Sequence, residues 1–344
     1  MSLLAAAETR AALEVFIAEK ALAHRVSLQR HELLSGGTIQ ENWRVDLQVE
    51  GGPHAGLLST VLRCDAPSAV SASHGRAQEY AVLKAVHEAG VTVPEPLWLC
   101  EDAARLGRPF FVMRRLQGTA ASHLITKDGT YGGDRQVLLR RIGAEMAALH
   151  AIRPPRADLA FLPTYDEAPA LHLVHKARAW LDRQPQPQPV LEWGLRWLER
   201  HAPPRDPGMP LALCHGDFRT GNYMVDEQGF TGLLDWEFTH WGDPLEDLGW
   251  FCAKCWRFRR PDLEAGGVGS REDLYAGYEA RSGKPLDRAQ VRYWEVMAHL
   301  NWAVIALQQA DRHMRGEERS LLLALTGHMV PALEWEILNM TEHG

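Results

Sequence analysis

"CHGDFRTGNYMVD", residues 214–226, places His215, Asp217, Arg219 and Asn222 within eight consecutive positions, and "GLLDWEF", residues 232–238, brings a second carboxylate, Asp235, out of an apolar run soon afterwards. A carboxylate followed five positions later by an amide is the spacing of a phosphoryl-transfer loop, in which the acid accepts a hydroxyl proton and the amide holds a magnesium ion. Asp217 and Asn222 fit it. Such a reaction needs a further metal ligand, because divalent cations neutralise much of the charge developing on the transferred group. Asp235 follows in the right order. An isolated His-Gly-Asp is usually a turn with a capping aspartate; the complete ordered set weighs against that reading.

Upstream of this stretch, "VSLQRHELLSGGTIQENWRVDLQV" and "GLLSTVLRCD" alternate in the manner of strands, with Gly36 and Gly37 at a turn that would let backbone N–H groups approach phosphates. Two adjacent glycines are also common in hairpins, and alone they mark a turn. "ASHGRAQEYAVLKAVHEAG" puts Val82, Ala85, Val86 and Ala89 on one helical face and stops at Gly90. A phosphoryl-transfer site of this kind also pairs a strand cation with a helix glutamate. Arg63 at the end of "VLR" and Glu79 on that helix supply the types; arginine keeps the charge and grips oxyanions through two parallel hydrogen bonds. "FFVMRRL" is a strand leading out of this region.

From Arg135 the period changes to that of helices, interrupted by the proline-broken "QPQPQP" between two of them. "PLEDLGWFCAKCWRF" and the segments beyond it read as further helices, with Tyr293, Trp294, Trp302 and Trp335 as core aromatics. Asp243 before Pro244 reads as a helix cap. "GGVGS", 266–270, lacks a following Gly-Lys-Ser/Thr and reads as a flexible linker. "CAKC", 252–255, lacks a second ligand pair and reads as thiols on a helix. Lys254, Arg257, Arg259 and Arg260 read as a solvated basic run, with attraction of an anionic acceptor as the functional alternative.

With 344 residues, 46% hydrophobic and 24% charged, the chain is long enough for two packed units, and no run suggests a membrane span or a signal peptide. Five cysteines favour reduced thiols and a cytoplasmic setting, and a net charge of −7 argues against nucleic acid.

"HGDFRTGN", "LLDWEF" and "WGDPLEDLG" together resemble the aminoglycoside phosphotransferase family of kinase-like enzymes, in particular the branch related to the kinase-like domain fused to some acyl-CoA dehydrogenases. The resemblance covers roughly Leu33 to Leu338 and is most specific over residues 215–249. It implies an α+β, two-lobed protein-kinase-like fold: a small β-rich lobe with a leading helix over residues 1–114, binding nucleotide, and a larger helical lobe over 115–344. It implies ATP and Mg2+ as cofactors, Asp217 as catalytic base, Arg219 on the transferred phosphate, Asn222 and Asp235 as metal ligands, and His215 and Asp247 as supports. Gly36, Gly37, Arg63, Glu79, Met113 and Arg115 fall on the nucleotide side. The expected partner is a small-molecule hydroxyl acceptor, aminoglycoside-like or hydroxyacyl-CoA-like. Two alternatives stand beside it: a kinase-fold protein that binds nucleotide or ligand without transfer, and a metal-dependent hydrolase, for which no H-E-x-x-H set is present.

Overall fold

The structure, a computed structural model, describes residues 3–34, 40–65, 73–127, 130–204 and 211–342; Gly36 and Gly37 lie outside them. The strand-like runs of the N-terminal region become β1 (Arg25–Leu33), β2 (Gln40–Glu50), β3 (Gly56–Asp65), β4 (Pro96–Cys100) and β5 (Phe110–Arg114). They form one antiparallel sheet in the order β1-β2-β3-β5-β4. Helix α1 (Ala7–Lys20) presses Leu13, Phe16 and Ile17 into a core shared with Trp43, Leu47, Leu62 and Phe110. Phe16 meets Phe110 edge to face at 5.0 Å, a favoured aromatic geometry. Helix α2 (Arg76–Glu88) buries Val82, Ala85 and Val86 as its period requires. Leu83 joins them, while Ala89 is the exposed C-cap before the left-handed Gly90. A short helix, α3 (Ala103–Leu106), bridges β4 and β5.

The chain divides into two units that are not contiguous in sequence. One comprises Met1–Gly118, Arg156–Phe161 and Thr231–Phe238; the other comprises Thr119–Pro155, Leu162–Phe230 and Thr239–Gly344. A single division after Arg114, as the sequence suggests, therefore misses two returning segments. Backbone pairing explains one return: the Leu233 N–H donates to the Thr92 carbonyl at 2.9 Å, and the Thr231 hydroxyl donates to the Gln117 carbonyl at 3.0 Å. Asp235 thus belongs with the sheet.

The second unit is mainly helical: α4 (Ser122–Ile125), α5 (Arg135–Leu149), α6 (Pro169–Leu181), α7 (Pro189–Arg200), α8 (Leu245–Cys252), α9 (Arg271–Ser282), α10 (Arg288–Met314), α11 (Leu321–Gly327) and α12 (Val330–Thr341). Short strands β6 (Ala212–Cys214) and β9 (His240–Gly242) pair within it; β7 (Tyr223–Val225) follows the 215–222 loop, and β8 (Phe230–Leu233) leads toward Asp235. Helices α5 and α9 cross at Gly143 and Gly277, where an added Cβ would lie 2.0 Å from the Leu274 and Arg140 carbonyl oxygens respectively. Only glycine lets these backbones approach so closely.

One expectation is sharpened and another is corrected. The stretch Leu321–Thr341 has the length and apolar composition of a membrane span, with a mean hydropathy of 1.3. In the fold it is two helices, and α12 turns Val330, Leu333 and Ile337 inward while the Trp193 indole donates to the Thr341 hydroxyl. The supposed linker "GGVGS" is instead buried from Gly266 to Val268.

Candidate functional site

The 215–222 loop leaves β6, whose Leu213 N–H donates to the Ile152 carbonyl at 3.0 Å and whose Cys214 faces His240 on β9. Its backbone is then held from α8. The Asp247 carboxylate accepts from the N–H of His215 at 2.7 Å and of Gly216 at 3.1 Å, and from His150 Nε2 at 3.0 Å. His150 Nδ1 lies 3.2 Å from the Tyr278 hydroxyl, so a proton on Nε2 satisfies both contacts. Burial alone would raise the Asp247 pKa, but the His150 hydrogen bond and the neighbouring His150 and His215 hold it below the usual aspartate value.

Asp217 sits at the centre of a fan of donors. Trp250 Nε1 reaches Oδ1 at 2.9 Å, Asn222 Nδ2 reaches Oδ2 at 2.7 Å, and Arg219 Nε lies 3.2 and 3.1 Å from the two oxygens. Asn222 Nδ2 also donates to the Asp217 carbonyl at 2.8 Å. That commitment of the amide nitrogen leaves the amide oxygen, the atom by which asparagine ligates a hard cation. Arg219 is only partly accessible: its guanidinium carbon lies 5.0 Å over the Trp256 ring, a cation–π stack. The loop is buttressed from below, where the Thr220 hydroxyl donates to the Gly266 carbonyl at 2.8 Å. At Gly266, φ is +60°, and a Cβ would come within 2.6–2.8 Å of Phe251 and Thr220. This is why that glycine-rich segment is packed and not a linker.

The sheet unit holds a second polar centre. Arg63 Nε lies 2.8 Å from Glu79 Oε1, and its guanidinium also bonds Asp235. Arg76 bridges Glu79 and Asp65, the latter at 2.9 Å. Asp235 has φ of +68°, a conformation that costs a non-glycine residue roughly 1–3 kcal/mol and clusters at functional positions. Glu237, two residues on, accepts from Gln40 Nε2 at 2.8 Å. Burial, and then the Asp235 charge, push its carboxyl up to about 8 against the opposing pull of Arg63. Proximity of two acidic side chains and a raised affinity for protons make a hard-cation site chemically reasonable here.

The structure thus gathers Asp217, Arg219 and Asn222 in the helical unit, with His215 and Asp247 beneath them. It gathers Arg63, Glu79 and Asp235 in the sheet unit. Met113 and Arg115 flank the end of β5, but the Arg114 N–H donates to Glu95 O at 2.8 Å and the Arg115 N–H to Ser59 O at 3.0 Å. The N–H groups of Arg114 and Arg115 are therefore already committed. Of the basic run, Lys254 pairs with Glu336 at 2.5 Å, Arg257 bonds the Cys252 and Pro261 carbonyls, and Arg260 bonds the Thr126 carbonyl. These side chains hold local structure. Cys252 ends α8, and Cys255 follows in a separate short turn of helix.

Sequence reasoning missed four participants. Glu237 was signalled by its place two residues after Asp235; His150, Tyr278 and Trp250 come from distant helices and carry no local signal. Among the described residues, Cys214 also groups with His150 and Asp247, and with His240 and Glu246, at metal-ligating separations. Burial, then the Asp247 and Glu246 charges, keeps its thiol protonated, and each histidine is engaged with the adjacent carboxylate.

Residues 30–294 match the phosphotransferase enzyme family. Among curated proteins, the chain is 25% identical over 284 residues to acyl-CoA dehydrogenase family member 10 of Mus musculus, covering 76% of this chain and 25% of that one. It is 26% identical over 279 residues to acyl-CoA dehydrogenase family member 11 of Homo sapiens, covering 77% and 35%. The chain therefore spans about a quarter to a third of these relatives' length. Solved structures share the fold. A candidate aminoglycoside phosphotransferase from Ralstonia eutropha JMP134 has a TM-score of 0.72 at 20% identity over 97% of this chain and 98% of that one. An aminoglycoside phosphotransferase solved with ADP and hygromycin B has a TM-score of 0.59 at 18% identity over 96% and 98%.

Proposed function

The chain belongs to the phosphotransferase enzyme family, and from that premise we propose that it transfers the terminal phosphoryl group of ATP to a hydroxyl of a small molecule. The observation that carries the reading is the Asp217 carboxylate, anchored by Asn222, Arg219 and Trp250 on a loop braced by Asp247. A binder without chemistry has no need of a base so fixed. In this reading Asp217 orients the acceptor hydroxyl and takes its proton at a carboxylate oxygen.

Magnesium, when bound, supplies charge neutralisation on the transferred group. Its residues would be Asn222 through the amide oxygen and Asp235 through the carboxylate. Arg63, set between Glu79 and Asp235, keeps an arginine cation beside the acidic centre of the sheet unit. Arg219 is a second cation for phosphate once it parts from Asp217. The acceptor class is open to two suggestions: hygromycin B appears with one structural neighbour, and acyl-CoA dehydrogenase names head the curated relatives.

The test is ADP release from Mg-ATP across aminoglycosides, hydroxyacyl-CoA esters, choline-like alcohols and sugars, with Asp217→Ala as control. Asp217→Ala should lose roughly 100- to 10,000-fold in turnover, the range for a removed general base, while still binding ATP. Asp235→Ala should instead weaken magnesium-dependent ATP binding. Wild-type turnover in Asp217→Ala would refute the assignment.

A further inference from the structure

We propose that Trp250 is a positioning residue for the base: its indole N–H holds the Asp217 carboxylate in the orientation that meets the acceptor hydroxyl. The proposal rests on the phosphotransferase reading of Asp217. Arg219, Asn222 and Trp250 donate to that carboxylate among the described residues, and Arg219 and Asn222 ride on the same loop as Asp217. They move when the loop moves. Trp250 donates from outside that loop, on α8, three residues after Asp247.

Positions i and i+3 share a helix face, so one face of α8 grips the loop twice. Asp247 takes the backbone N–H groups of His215 and Gly216, and Trp250 takes the side chain of Asp217. The helix itself has little room to shift. A Cβ at Gly249 would lie 2.5 Å from the Trp294 backbone on α10. The Trp250 ring is 8% exposed and packs on Trp256 at 5.4 Å and Trp302 at 6.5 Å. An indole is also chemically suited to the task. It donates but cannot accept, so it orients the carboxylate without competing for the proton that the base removes.

Trp302 supplies the control. It belongs to the same aromatic cluster, yet its Nε1 has no hydrogen-bond partner among the described residues. Trp250→Phe keeps most of the ring and deletes the donor. In the full chain, with Mg-ATP and whichever acceptor supports turnover, it should lower kcat roughly 10- to 100-fold, the range for a slightly misplaced catalytic group. KM for ATP should stay within about twofold, and Trp302→Phe should leave both constants within about twofold.

A spectroscopic measurement needs no acceptor. In the 15N–1H spectrum of the full chain, the indole resonance lost in Trp250→Phe should shift in Asp217→Asn and still be present in Trp302→Phe. Should Trp250→Phe fail to fold, Asp217→Asn still decides, because unchanged indole resonances overturn the contact. Wild-type kcat in folded Trp250→Phe overturns the positioning role. If the indole shift is present but the wild-type chain transfers phosphate to no acceptor, the phosphotransferase reading falls, and the role assigned to Trp250 falls with it.

Discussion

Asp247 and Glu237 are both buried carboxyls, 0% and 6% exposed, but their surroundings drive them in opposite directions. Asp247, in the helical unit, accepts from two backbone N–H groups and from His150, and is held below the ordinary aspartate value. Glu237, in the sheet unit, has the Gln40 amide as its side-chain donor and a like-charged neighbour in Asp235, and is pushed to about 8. Equal burial therefore does not fix charge; the donor supply does. Asp247 is a permanent anion whose work is structural. Glu237 is a group whose carboxyl burial and Asp235 push up toward the working pH range.

The largest expected effect comes from breaking the permanent anion. Asp247→Ala strips the acceptor from His215 and Gly216 and leaves the buried His150 without its carboxylate, an outcome that costs about 3–5 kcal/mol when one partner of a buried pair is removed. Urea denaturation followed by tryptophan fluorescence should show it as a lowered midpoint. A loss under about 1 kcal/mol would mean that the backbone bonds at Asp247 are replaceable by water.

Arg63→Met should come next, at about 2–4 kcal/mol, because Arg76 still compensates Glu79 when the Arg63 charge is gone. Asp235 and Glu237 then lose the nearby cation that favours their ionised forms. The loss should be greater at pH 8 than at pH 5, where proton uptake relieves the repulsion. Equal losses at the two values would show that the Arg63 contribution is packing and not charge.

The contrast between these centres also explains what the sequence could tell. The meeting of Asp217 and Asn222 was legible because a separation of five residues along one loop is local spacing, which survives into the fold. The strands, the α2 face and the Arg63–Glu79 pair followed from period and residue type. Trp250 was not legible, since its indole meets Asp217 only after α8 docks. Glu237 stood in the quoted stretch, but its protonation depends on Gln40 and Arg63, which approach it through the sheet. The misread "GGVGS" has the same cause: glycines look alike in sequence whether they are exposed or wedged under Phe251 and Thr220.

The smallest effect tests Glu237 directly. Between the ordinary glutamate value of 4.5 and about 8, the native chain retains a proton at Glu237 that the unfolded chain has released. Stability from this group is therefore full below pH 4.5 and is lost as pH rises toward 8. Glu295, pushed to about 7 by burial, and Asp243, pushed to about 6 by burial, act with the same sign in the helical unit. His299, lowered to about 4 by burial, opposes them below its ordinary value of 6.5. A comparison of wild type with Glu237→Gln cancels these other groups. The stability of wild type relative to the variant should fall as pH rises from 5 to 8. Parallel pH curves for the two proteins would remove Glu237 from the titration. Magnesium sharpens the outcome: a cation bound beside Asp235 and Glu237 displaces the proton, so Mg-ATP should flatten the wild-type slope and leave that of the variant unchanged.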